Sequence, residues 1–223
     1  MTTIAIDTDD LTLAELRLAL APAIARAAVF DGWGNVAVAG AAAEQGVDPA
    51  LARFAFRGGA MELIAAWIAR IDADMAAALP PELLAALPIR ERIRRLVRFR
   101  IDAIVGQEEA LRRALSIMAM PQNVAATLAQ GWHSADVMWR LAGDTAADYN
   151  HYTKRATLAA IYAATLAVFA DDTSDGKADS HAFLDRRIEG IMRFEKAKAR
   201  LRKGDDETFS LARLLGRLRY PAT

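Results

Sequence analysis

No β-branched run with a period of two occurs in this chain. Its apolar residues recur at intervals of three and four, on a background of Ala, Leu, Glu and Arg. Those residue types lose little freedom in a helix, and that spacing gathers them on one helical face. The breaks fall where Gly and Pro stand: Gly32 and Gly34, Gly46, Gly58-Gly59, Pro80-Pro81, Pro88, Pro121, Gly143 and Gly176. The reading is an all-α fold. Helices are predicted near 11–30, 36–45, 49–56, 59–79, 89–105, 108–119, 122–142, 148–170, 179–203 and 207–219. A length of 223 residues suits one sizeable core.

The first 80 residues have a rhythm of their own. A long helix ends in "AAVFDGWG", a short Ala-rich helix follows, then "EQGVDPALARFAF". Gly46 supplies a turn, Asp48 an N-cap and Pro49 a first helical residue. That is a helix-turn-helix arrangement, and it resembles the N-terminal part of TetR-type regulators, in which a larger helical ligand domain follows. The resemblance implies a ligand-responsive repressor, and charge argues against it. Duplex affinity comes largely from Lys and Arg on phosphates. Residues 1–57 carry four cations (Arg17, Arg26, Arg53, Arg57) against seven carboxylates, a net charge of −3. The would-be recognition helix offers Arg53 alone to a base edge, with Phe54 and Phe56 better suited to packing. No nucleic-acid partner is expected.

The second half has a different character. "DYNHYTKR" leads into Ala156–Ala170, a run without one charge. A membrane span needs about 20 apolar residues, so this shorter run reads as a helix buried in protein with an exposed first turn. Around it, Ala114 to Met192 contains "ALSI…MPQN", "MW…AGD", "DYNHYTKRATLAAIY" and "FL…RI". These fragments, in this order, closely resemble the Coq nine family of accessory lipid-binding proteins of ubiquinone biosynthesis, whose fold is TetR-like without DNA function. The resemblance implies a non-enzymatic homodimer. It implies binding of an isoprenoid quinone intermediate or a phospholipid, and display of that intermediate to the di-iron demethoxyubiquinone hydroxylase. By the same resemblance Asp148, Asn150, His151, Tyr152, Arg155 and Met138 are the partner-binding residues. His151 departs from the pattern, since animal members carry Trp there.

The residues themselves fit a lipid site in general terms. Met118, Met120 and Met138 are flexible and fill irregular apolar space. Trp139 and Tyr162 add aromatic surface, and helix 156–170 is expected to form one wall. Arg155 offers a rigid fork of donors suited to a headgroup; a pairing with Asp144 or Asp148 is the plain alternative. Near the end of the chain, Leu211, Leu214, Leu215 and Leu218 form a single stripe with Arg213 and Arg217 off it. Residues 193–219 carry nine cations and four anions, a net charge of +5. A Leu-faced, Arg-flanked helix of this kind reads as a membrane-surface element. The expected division is 1–79 for the TetR-like part, 80–203 for the lipid and dimer part, and 204–223 for the membrane helix.

Other chemistry is excluded by what is missing. There is no Cys, hence no disulfide or thiolate chemistry. His133, His151 and His181 lie far apart, and no Glu-x-x-His pair occurs, so neither a metal nor a cofactor is expected. "DDTSDGKAD" is not a calcium loop, because Thr173 and Ala182 stand where carboxylates are needed. The arginine run "IRERIRRLVRFR" reads as a solvated helix face. The acidic start lacks the basic and apolar regions of a secretory signal. The expectation is a cytoplasmic protein, peripheral at the inner face of the membrane.

Overall fold

The computed structural model describes residues 11–145 and 149–191, and only the backbone at Tyr149 and Asn150. Its helices are α1 (Leu13–Asp31), α2 (Asn35–Gln45), α3 (Pro49–Ala55), α4 (Ala60–Ala78), α5 (Pro81–Ala85), α6 (Ile89–Asp102), α7 (Glu108–Met118), α8 (Val124–Leu141) and α9 (Tyr149–Asp171), followed by α10 (178–191). No strand occurs among the described residues. Asp148, the side chain of Asn150 and the whole predicted C-terminal helix, with Leu211, Arg213, Leu214, Leu215, Arg217 and Leu218, lie outside them. The described residues up to Leu184 form one compact unit, and residues 185–191 open a second.

Local chemistry explains the boundaries. Thr12 and Glu15 cap α1 reciprocally: the Thr12 hydroxyl accepts from the Glu15 amide at 3.3 Å, and the Glu15 carboxylate accepts from the Thr12 amide at 2.8 Å. Gly46 ends α2 in the left-handed region at φ 69°, where a side chain would be strained. Asp48 then caps α3 by accepting from the Ala50 amide at 2.8 Å. α1 runs straight through Pro22, which has no amide to donate. The burial of Leu16, Leu20 and Ile24 on the same helix, at about 2 kcal/mol each, offsets that loss.

α1 packs on α2, α3, α4 and α7, while α8 lies against α9 and also meets α4, α6 and α7. The two groups are tied by tryptophan. Trp33 stacks on Trp67 of α4 with ring centroids 5.2 Å apart, and its indole donates to the Ala110 carbonyl of α7 at 2.9 Å. Arg92 of α6 is a second tie, donating to the carbonyls of Ala85, Leu87 and Ala142, each at 2.8 Å. These are orphan carbonyls near the ends of α5 and α8. The arginine run is therefore more than a solvated face: Arg92 staples helix ends and Arg100 is fully buried.

Two of the four cations in the first 57 residues stand in ion pairs. Arg17 bridges to Glu62 at 2.8 Å and Arg26 to Glu44 at 2.5 Å. Phe56 is buried as expected, whereas Phe54 is exposed and lies under the Arg57 guanidinium, 3.8 Å from the ring centroid. Its flat face suits a cation as well as a core.

Candidate functional site

A cavity of about 580 Å³ lies among α4, α6, α7, α8 and α9, within the usual range for sites that hold small molecules. α4 contributes Ile64, Trp67, Ile68 and Ile71, and α7 contributes Leu111, Ala114, Leu115 and Met118. From α9 come Ala156, Ala159, Ala160, Ala163 and Leu166, a stripe at steps of three and four residues. These mostly single-methyl side chains leave room beside the helix. Leu128 of α8 lines the cavity and is 69% exposed, so it marks the mouth.

One charged side chain belongs to the wall. Arg100 of α6 is wholly buried, ion-paired with Asp72 of α4, and donates to the Ser134 hydroxyl of α8 at 3.1 Å. Its guanidinium sits over the Tyr162 ring, 4.8 Å from the centroid. Sequence reading missed this constellation, although a signal was present. In α6 the buried residues Ile93, Leu96, Val97, Arg100 and Ile101 keep one stripe, and Arg100 occupies a position there. Asp72 holds the matching place on α4, one turn after Ile68. Two opposite charges on two apolar stripes predict a buried pair.

Beside the cavity stands a second cluster. Arg155 of α9 is 2% exposed; its Nε donates to Asp136 at 2.6 Å and its Nη1 to Asp144 at 3.1 Å and to the His151 carbonyl at 3.2 Å. Lys154 joins Asp144 at 2.7 Å, and Arg140 joins Asp136 at 2.8 Å. Burial works to raise the Asp144 pKa, but hydrogen bonds from Lys154 and Arg155 outweigh it and hold the carboxyl below its ordinary range. Trp139 closes the cluster, its indole donating to the Lys154 carbonyl at 3.1 Å.

The expected site residues therefore separate into groups. Met118 and Tyr162 line the cavity. Met120 is exposed outside the lining, and Met138 is wholly buried without reaching the cavity. This corrects Met138 as a surface contact, since its own bundle covers it. Arg155 and Trp139 belong to the clamp. A buried guanidinium needs a paired charge, and Arg155 has that from two carboxylates, which corrects it as a free headgroup ligand. Tyr152 is 61% exposed and packs edge-on against His151, ring centroids 5.2 Å apart, with Trp132 at 6.0 Å from Tyr152. Trp132 also lines the cavity, so the aromatic group adjoins its wall; sequence reading had not singled Trp132 out.

"DDTSDGKAD" has its own explanation. Asp172 accepts from the amides of Ser174 and Ser180, both at 2.8 Å, and from both hydroxyls. Burial works to raise its pKa, and those four hydrogen bonds hold it well below the ordinary range. Asp172 thereby caps the start of α10.

Fold and cavity together define a helical bundle of TetR type with a largely apolar cavity. A TetR transcriptional regulator from Nitrosomonas europaea ATCC 19718 superposes with a TM-score of 0.63 over 78% of this chain and 97% of its own, at 22% identity. Residues 124–195, a stretch that includes α8 and α9, match the COQ9 family, the family that the sequence resembles. The mitochondrial ubiquinone biosynthesis protein COQ9 of Rattus norvegicus is 34% identical over 168 residues, 72% of this chain and 54% of that protein. The Homo sapiens protein of the same name is 33% identical over 72% and 52%. A probable mitochondrial ubiquinone biosynthesis protein of Dictyostelium discoideum is 25% identical over 75% and 56%. The chain spans about half the length of the curated relatives it matches. Among the described residues no helix is long and apolar enough to cross a membrane.

Proposed function

We propose that this protein is a non-enzymatic, lipid-binding accessory protein of ubiquinone biosynthesis. It holds an isoprenoid quinone intermediate or a phospholipid and presents the intermediate to demethoxyubiquinone hydroxylase. The names of its relatives support the process. The carrying observation is the apolar cavity, walled by α8 and α9 of the stretch that matches the COQ9 family. The aromatic group formed by Trp132 of α8 with half-buried His151 and exposed Tyr152 on the first turn of α9 supports a docking face beside it. Homodimerisation, a peripheral place at the inner face of the membrane and the Leu211–Leu218 membrane contact belong to the same reading.

Organic extraction of the full-length purified protein followed by mass spectrometry tests it. A quinone or phospholipid recovered in near-stoichiometric amount is the expected result. A protein that yields no lipid, and takes none up from vesicles, sinks the reading. A salt-sensitive shift of duplex DNA at low micromolar protein would restore the repressor alternative instead.

A further inference from the structure

The cavity lining is largely apolar, and the one charged side chain among its described residues is incompletely paired. Arg100 is wholly buried, with Nη1 on Asp72 and Nη2 on Ser134, yet its Nε has no hydrogen-bond partner, and neither does the second carboxylate oxygen of Asp72. A buried donor left unmade is costly, and native proteins seldom leave one without cause. Ser134 accepts from Arg100 with its oxygen, which leaves its hydroxyl proton as a second donor. Both residues are in the cavity wall. Thr127, another polar residue of the wall, already donates to the Met118 carbonyl at 2.7 Å. Gln130, one helical turn before Ser134 on α8, is a further polar residue of the wall.

The charge balance narrows the ligand. Asp72 matches Arg100 one for one, and Arg100 is the sole charged residue in the lining. An anionic head bound here would set a second negative charge beside Asp72 in a low-dielectric site, with no cation to answer it. A neutral acceptor oxygen carries no such cost. We infer that Arg100, positioned by Asp72 and Ser134, is the polar end of the cavity and receives the acceptor oxygen of an uncharged apolar molecule, such as a ring carbonyl, in preference to a carboxylate or phosphate head. This rests on the lipid-binding reading and adds to it the class of head that the cavity selects.

The full-length protein, stripped of lipid, is titrated with three probes, followed by tryptophan fluorescence because Trp67 and Trp132 line the cavity. The probes are a decyl-substituted benzoquinone, decylbenzene and laurate. The quinone is expected to bind about tenfold more tightly than either of the others, the magnitude of one hydrogen bond to a charged donor. The double variant Arg100→Met with Asp72→Leu removes the pair without stranding a charge. It is expected to bind decylbenzene as well as the parent does and to lose the preference for the quinone. Ser134→Ala should reduce the preference about threefold, and it carries the test if the double variant does not fold. If decylbenzene binds and the quinone shows no advantage, or if the preference survives in the variants, the polar end is refuted while a lipid site remains. Tighter binding of laurate refutes the neutral head. If no probe binds, the lipid reading itself falls.

Discussion

Two buried arginines, Arg155 and Arg100, invite comparison. Arg155 meets two carboxylates and a carbonyl; Arg100 meets one carboxylate and one hydroxyl and keeps a donor unused. Arg155 joins α8, the loop after it and α9 into one piece. Arg100 sits on a cavity wall. The same side chain is a structural clamp where it bridges two carboxylates and, on our proposal, a point of recognition where it has one.

The largest expected effect comes from breaking the two-carboxylate site. Arg155→Met leaves Asp136 and Asp144 together without their central cation, and a loss of about 3–5 kcal/mol is expected. For a protein of this size that lowers Tm by roughly 10 °C, measurable by circular dichroism. By contrast, the double variant of Arg100 and Asp72 replaces an incompletely bonded pair with apolar groups. Its stability should stay within about 2 kcal/mol of the parent, in either direction. If both changes cost the same, the distinction between the two arginines is wrong.

Asp172→Ala comes next. It removes the acceptor for two amides and two hydroxyls at the start of α10, and about 2 kcal/mol should be lost in urea unfolding.

Acid sharpens the comparison from another side. Asp144 and Asp172 both have pKa values below their ordinary 3.8. The unfolded chain therefore binds protons first as pH falls. Their stabilisation is fully present above about pH 4 and is lost progressively below it, as pH drops through the lowered folded values. Urea midpoints from pH 6 down to pH 2 should fall, and less steeply in Asp144→Asn than in the parent.

The smallest effect on folding belongs to Tyr152→Lys, since the side chain is exposed; Tm should move by less than that expected for about 0.5 kcal/mol. Its readout is capture of demethoxyubiquinone hydroxylase, which should weaken. Undiminished capture removes Tyr152 from the docking face.

Much of the fold was legible because helices announce themselves locally. The predicted 49–56 became Pro49–Ala55 and the predicted 108–119 became Glu108–Met118, since Asp48, Pro49 and Pro121 act on their own neighbours. The five-residue α5 was missed: between Pro80 and Pro88 it is too short to show a period. The site was only partly legible. Periodicity shows which face of a helix is apolar, so Met118, Tyr162 and a contribution from α9 could be anticipated, but not that its alanines would form the wall. It does not show how far apart the apolar faces stand. Met138 and Met118 look alike in sequence, yet one is packed solid and the other borders a space. Arg155 drew notice because it opens an uncharged run, whereas Arg100 was hidden among other arginines, and only its register on the stripe distinguished it.

α9 makes room for a guest by what it lacks. Ala156, Ala159, Ala160 and Ala163 give the cavity one methyl each, and successive turns of the helix are about 5.4 Å apart. The helix is thus a ruler with erasable marks: a Phe written at 163, 159 or 156 would plug the chamber at a different depth. A series of such single replacements, each probed with tails of increasing length, would read out how much chain the chamber admits and from which end it fills.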